Sequence, residues 1–280
     1  MKTPDQVGKD FDEYARRWRP ADYTMEGGWD GQQLAARVDK QAEVQLPGDE
    51  WGGLDDLKRV YASLFARLLP SDRPLNVLEI GAGGGRSTRA VLDVLGPRAH
   101  DYHVVDVSAA FVSVLKERID RAIEVHVVSD VDLSVLPQDH FDLCLAQSSW
   151  SHIGMYDQFR YLRDLRGVLV HGAPLVVNGQ FLLGLGDDWA WNRFRRRVYQ
   201  LEHSVDGVFH EFTGSAALVE QLFRLEYDIE VVHDHGFIAR RRQSNIKASL
   251  ETLDAPMEYP YLRSLVDFAA GREPTMVSAR

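Results

Sequence analysis

The sequence predicts an α/β protein built on a doubly wound sheet of seven strands, with the last strand antiparallel. Three observations carry this. Short apolar runs rich in Val, Ile and Leu alternate with helical periods between residues 75 and 241. The first run is followed by four glycines in five residues, within Leu-Glu-Ile-Gly-Ala-Gly-Gly-Gly-Arg-Ser-Thr at 78–88. The last two runs are joined by only His233-Asp234-His235, too few residues for a parallel crossover.

The elements follow in order. Strands are expected at 76–80, 102–106, 124–128, 141–146 and 175–178, then at 228–232 and 236–240. Helices are expected over 87–95, about 109–119, within 156–170 and about 215–225. Strands this apolar need helices on both faces. Ahead of the sheet, Leu57, Val60, Tyr61, Leu64, Phe65 and Leu68 form the stripe of an amphipathic helix that Pro70 and Pro74 end. Phe11, Tyr14, Ala15 and Trp18 sit at helical spacing further upstream. This divides the chain into a helical N-terminal segment closing the cleft (1–74), a sheet domain (75–241) with a Trp- and Arg-rich cap insertion (181–213), and a polar tail (242–280) with a helix around 261–270.

Composition narrows the partners. The chain has 280 residues and a formal net charge of -10, which opposes a nucleic-acid backbone as the main partner. Its single cysteine, Cys144, can form neither an internal disulfide nor a thiolate metal cluster and suits a reducing compartment. The N-terminus lacks the apolar core of a signal peptide. The apolar stretch 168–185 is broken by His171, Pro174, Asn178 and Gln180, so it reads as strand and turn and not as a membrane span. A cytoplasmic protein is expected. The sequence says nothing of oligomeric state.

The glycine loop decides the ligand class. A dinucleotide loop needs Gly-x-Gly-x-x-Gly, but the third glycine falls on Arg86 or Thr88. A phosphate loop needs Gly-x-x-x-x-Gly-Lys-Ser/Thr, but the first glycine falls on Ile80 and the lysine on Arg86. What fits is Glu79-x-Gly81-x-Gly83-x-Gly85, an acid at a strand end with glycines at alternate positions.

That pattern resembles the first motif of class I S-adenosylmethionine-dependent methyltransferases, whose fold is Rossmann-like. The resemblance continues in order. Asp106 closes the second strand, Ser129-Asp130-Val131 follows the third, and Phe-Asp-Leu-Cys-Leu-Ala-Gln-Ser-Ser-Trp-Ser-His-Ile at 141–153 is similar to the fourth-strand motif. Leu-Arg-Gly-Val-Leu-Val-His-Gly-Ala-Pro-Leu-Val-Val at 165–177 is similar to the helix, turn and fifth strand, with His171 in place of the usual proline and Ala173 in place of a glycine. The resemblance implies S-adenosylmethionine as cofactor, held by Glu79, Gly81, Ala82, Gly83, Gly85, Asp106, Val107, Asp130, Val131 and Gln147. It implies Asp106 on the ribose hydroxyls and Asp130 with Val131 near the adenine. Glu79 is expected to order the loop or to act through water. Arg86 reads as helix surface.

The resemblance also implies methyl transfer to a small-molecule acceptor, most simply a hydroxyl of a sugar or secondary metabolite. Nitrogen or carbon acceptors, RNA, or binding without catalysis are the alternatives. Loss of a hydroxyl proton needs a base, and a neutral imidazole is suited to it. His152, after strand four, is the first candidate and His210 the second. Metal-dependent relatives want acids after strands four and five, where this chain has Gln147 and Asn178. His233 and His235 have no converging partner in the sequence, so no metal is expected. The insertion at 187–199, with two Trp and four Arg, reads as an amphipathic cap.

Overall fold

A computed structural model describes residues 3–18, 46–47, 54–178, 181–183, 212–233 and 236–242. His210, residues 184–211, His235 and the tail from 243 lie outside the described residues.

Seven strands form one sheet: β1 (Leu75–Ile80), β2 (Ala99–Asp106), β3 (Glu124–Val127), β4 (Leu143–Gln147), β5 (Pro174–Asn178), β8 (Tyr227–His233) and β9 (Gly236–Arg241). Their order is β3-β2-β1-β4-β5-β9-β8. The first five are mutually parallel, and β9 runs antiparallel to both β5 and β8. The expected fold class holds, including the reversed last strand. The remaining strands, β6 (Phe181–Leu183) and β7 (Phe212–Gly214), pair with each other as a separate two-stranded sheet. They fall at the two ends of the expected insertion, 181–213, where no strand is expected from sequence. Strands of three residues carry too little periodicity to register.

Each face of the sheet buries alternate residues, as a two-residue period demands. Leu78, Ile80, Val105, Ala146, Leu175 and Phe237 join Trp150, Leu162, Leu165 and Leu222 on one face. Leu75, Val77, Val104, Leu143 and Leu145 pack with Tyr61, Phe65, Val91 and Leu95 on the other. The helices are α1 (Pro4–Arg17), α2 (Leu54–Leu68), α3 (Arg86–Leu95), α4 (Ala109–Arg118), α5 (Met155–Val168) and α6 (Ser215–Arg224).

Helix α1 begins with a reciprocal capping box. Thr3 Oγ1 accepts the Gln6 amide at 3.3 Å and Gln6 Oε1 accepts the Thr3 amide at 2.9 Å. Pro4 occupies the first turn, where its missing N–H costs nothing. The helix lies against the start of α4. Asp12 Oδ1 accepts Ser108 Oγ at 2.6 Å and the Ala110 amide at 3.0 Å. Gly8 permits this approach, since a Cβ there would stand 2.3 Å from the Val107 carbonyl oxygen. The packing brings α1 to the carboxyl ends of β1 and β2, where ligands of open α/β sheets bind.

Candidate active site

A cavity opens at those carboxyl ends. It is lined by Gly81, Ala82, Gly83 and Gly84 of the loop, Asp106 and Val107 after β2, and Gln147, Ser148, Ser149 and His152 after β4. Pro4, Val7 and Phe11 of α1 form another wall, and Arg86, Phe111, Asp157 and Tyr161 are also part of the lining.

The loop is fastened from both sides. Beneath it, Glu79 is fully buried, and its Oε2 accepts Thr88 Oγ1 and the Tyr102 hydroxyl, each at 2.7 Å. Burial pushes the Glu79 carboxyl up from its ordinary value, against the hydrogen bonds that hold it down. Its Oε1 has no hydrogen-bond partner among the described residues. Beside the loop, Asp106 Oδ2 accepts the Gly83 amide at 2.8 Å while Oδ1 accepts the Ser108 amide at 2.9 Å. Burial raises the Asp106 pKa as well, opposed by the backbone N–H groups of Ser108, Gly83 and Val107. Ser108 caps α4 through the Phe111 amide at 3.1 Å, which leaves Asp106 free of that task.

The glycines divide by purpose. Gly81, Gly83 and Gly85 have φ of 70, 54 and 81°, the left-handed region that glycine alone enters without cost. At Gly81 a Cβ would also stand 2.3 Å from Ser149 Cβ. That glycine therefore serves packing between the loop and the residues after β4. At Gly83 the nearest neighbour of an added Cβ is Phe111 at 3.6 Å, an ordinary contact. Gly83 keeps a bare backbone on the cavity.

After β4 the chain turns sharply. Ser148 has φ of 60°, unusual for a residue with a side chain. Its amide donates to the Asn178 carbonyl at 2.6 Å. Ser149 Oγ donates to the Ile80 carbonyl at 2.7 Å, tying this turn to β1. A single 3-10 turn, Trp150–His152, follows. Buried Gln158 of α5 grips it, donating from Nε2 to the carbonyls of Trp150 at 3.2 Å and Ile153 at 2.8 Å. The turn delivers His152 to the cavity, where Phe11 meets its ring edge-on at 5.0 Å between centroids.

Gln147 joins three elements. Its Oε1 accepts Asn178 Nδ2 at 3.1 Å and the Tyr61 hydroxyl at 3.3 Å, and Tyr61 lies 2.8 Å from Ser87 Oγ. Ser87 donates to Tyr61 when Tyr61 donates to Gln147.

The structure brings together Gly81, Ala82, Gly83, Asp106, Val107, Gln147 and His152 around one cavity. Glu79 and Gly85 stand behind that lining. Asp130 and Val131 are not part of it. Asp130 is paired instead with Arg160 of α5, at 2.8 and 3.0 Å through its two oxygens. That guanidinium holds the Asp130 carboxyl below its ordinary value. Arg86 differs from expectation in the other direction: it is buried and lines the cavity. Phe11, Asp157 and Tyr161 were not singled out by sequence. For Phe11 the helical spacing with Tyr14 and Trp18 was the available signal.

The lining selects a ligand type. The lining includes two carboxylates, Asp106 and Asp157, and one guanidinium, Arg86. That set suits hydroxyls and positive charge better than a pyrophosphate. Residues 77–172 match the model of a family described as methyltransferase domain. These residues are a class I methyltransferase domain. Family and fold imply S-adenosylmethionine as the cofactor. Curated relatives of the methyltransferase domain include the hybrid PKS-NRPS synthetase mpsA of Macrophomina phaseolina, 33% identical over 158 residues. Another is the hybrid PKS-NRPS synthetase apdA of Emericella nidulans, 45% identical over 129 residues. These matches cover 50% and 41% of this chain but only 4% and 3% of the synthetases. The fold is similar to that of the CurJ carbon methyltransferase, with a TM-score of 0.50 and 16% identity over 85% of this chain and 67% of that one. The pyocyanin biosynthetic protein PhzM is also similar, with a TM-score of 0.50 and 14% identity over 84% and 63% of the two chains.

Proposed function

We propose that this protein transfers a methyl group from S-adenosylmethionine to a small biosynthetic molecule, with a hydroxyl oxygen as the acceptor atom and His152 as the base. The observation that carries the reading is the placement of His152 in the same cavity as Gly83 and Asp106. The cofactor supplies an electrophilic methyl group on a sulfonium. The protein supplies position, shielding and a proton acceptor.

In this reading Asp106 takes the paired ribose hydroxyls. Each of its oxygens already accepts one backbone amide and keeps a further lone pair. Gly83 presents bare backbone, and Ala82 no more than a methyl group, to the amino-acid portion. Gln147, fixed by Tyr61 and Asn178, borders the reacting end. His152, steadied by Phe11, removes the acceptor proton as the new bond forms. Holding acceptor and donor in line supplies much of the acceleration.

A small acceptor is favoured by the relatives, which are named as synthetases of the PKS-NRPS type. A carbon acceptor is the second reading, favoured by the name of the CurJ carbon methyltransferase. The same imidazole would then remove a proton from a carbon beside a carbonyl. A labelled-methyl assay with hydroxylated and 1,3-dicarbonyl small molecules, with products located by NMR, separates the two. Label on oxygen supports the first reading and label on carbon the second. Failure to bind the cofactor or its demethylated product would overturn both.

A further inference from the structure

We propose that the protein carries a zinc-type divalent metal site at the other end of the sheet from the cavity, formed by Asp101, His103 and His140. Asp101 and His103 alternate on one face of β2, and His140 precedes β4. Their ligand atoms all lie within 4.8 Å of one another. Asp101 Oδ1 is 3.2 Å from His103 Nε2, and Asp101 Oδ2 is 2.8 Å from His140 Nε2. Two ligand atoms about 2.0–2.1 Å from a tetrahedral zinc stand roughly 3.3 Å apart, so small side-chain shifts would admit an ion. Two imidazoles and one carboxylate form a common set for such metals, and they leave a fourth position open.

The neighbours are arranged as a metal site requires. His103 is buried. Its second nitrogen, Nδ1, lies 3.2 Å from His126 Nε2 on β3. With an ion bound, donation from Nδ1 to His126 would leave the Nε2 lone pair of His103 for the metal, the orientation that an outer partner gives a ligating histidine. His126 is thus a positioning residue. Glu124, paired with His103 across β2 and β3, brings a carboxylate oxygen to 3.6 Å from His103 Nε2. It adds a second negative charge that a dication would offset. Phe141 closes the apolar side, its ring edge-on to His103 at 5.1 Å and to His140 at 4.9 Å.

The site is separate from the proposed catalysis. His103 is three residues before Asp106, roughly 10 Å along an extended strand. An ion here would fasten the start of β2 to the segment entering β4, crossing beneath β1. Its role is therefore structural. In the sequence the metal candidates are the pair His233 and His235, whose two-residue spacing is visible locally, and the places after strands four and five, which hold Gln147 and Asn178. Asp101 and His140 are 39 residues apart and meet only in the fold.

The test uses the untagged full chain, titrated calorimetrically with zinc chloride. Wild type should bind one ion per chain, and zinc should raise its thermal midpoint. Asp101→Asn and His140→Gln sit at half-buried positions and should fold. Each should weaken zinc binding more than about tenfold and abolish the thermal shift, while leaving cofactor affinity unchanged. His126→Ala should weaken zinc binding less than either. Absence of zinc binding in wild type at micromolar concentrations overturns the proposal. Undiminished affinity in Asp101→Asn and His140→Gln overturns it equally.

Discussion

Asp106 Oδ2 accepts the amide of Gly83 at 2.8 Å, which makes the acid ending β2 and the loop after β1 a single unit. Removing that carboxylate takes away both a ligand contact and the loop's tether. Asp106→Ala should weaken S-adenosylmethionine by about 1.5–3 kcal/mol, the range for a hydrogen bond to a charged group. Calorimetry measures it directly. Unchanged affinity would remove Asp106 from the site.

His152 touches the proposed reaction and not the cofactor's anchoring groups. His152→Ala should lower turnover about 100-fold or more with cofactor affinity retained. Separate measurements of kcat and of cofactor Kd distinguish this from misfolding. Full activity in that variant would refute its role as base.

Gly81 is demanded by its neighbour and by its backbone. Gly81→Ala would put a methyl 2.3 Å from Ser149 Cβ at φ of 70°. It should cost about 1–3 kcal/mol of stability. Ser149→Gly removes the collision but also the hydrogen bond to Ile80, so the comparison is a double-mutant cycle: Gly81→Ala should cost less in the Ser149→Gly background than in wild type. Urea midpoints read the difference. An equal cost in both backgrounds would mean that backbone strain alone accounts for the loss.

Glu79 makes stability depend on pH. Folding raises its pKa through burial, so the folded chain holds the proton more tightly than the unfolded one. That contribution is fully present below the unfolded carboxyl value, about pH 4.3, and is lost as pH rises through the folded value. Glu79→Gln cannot titrate. The stability of wild type minus that of Glu79→Gln should therefore fall on going from acid to neutral pH. A flat difference would show that the carboxyl titrates alike in both states.

Cys144 lies fully buried in β4, and burial pushes its thiol well above the ordinary range. It should resist thiol reagents in the folded protein and react fully in denaturant. Rapid labelling of native protein would contradict its placement.

Sequence reading reached the sheet because its signals are local. The apolar runs of β1 and β2, the glycine loop and the short join before β9 each lie within a few residues. Asp106 was legible because it closes an apolar run at the place where the family resemblance implies an acid. What escaped depends on distant pairing. Asp130 is turned toward Arg160 by a helix 30 residues on. Arg86 is buried by the packing of α3 against the sheet and the cavity edge. Phe11 reaches the cavity because α1 docks on the start of α4, through Asp12, the bare Gly8 and the ring contacts with Phe111.

That attachment has a kinetic meaning. A wall that is a separate helix, joined to the start of α4 by Asp12 and by the rings of Phe11 and Tyr14 against Phe111, can part from the rest of the cavity without disturbing the sheet. Loosening it, as Asp12→Ala would by removing the bonds to Ser108 and Ala110, should shorten the residence time of a bound molecule. Turnover could be paced from a residue that never meets the substrate.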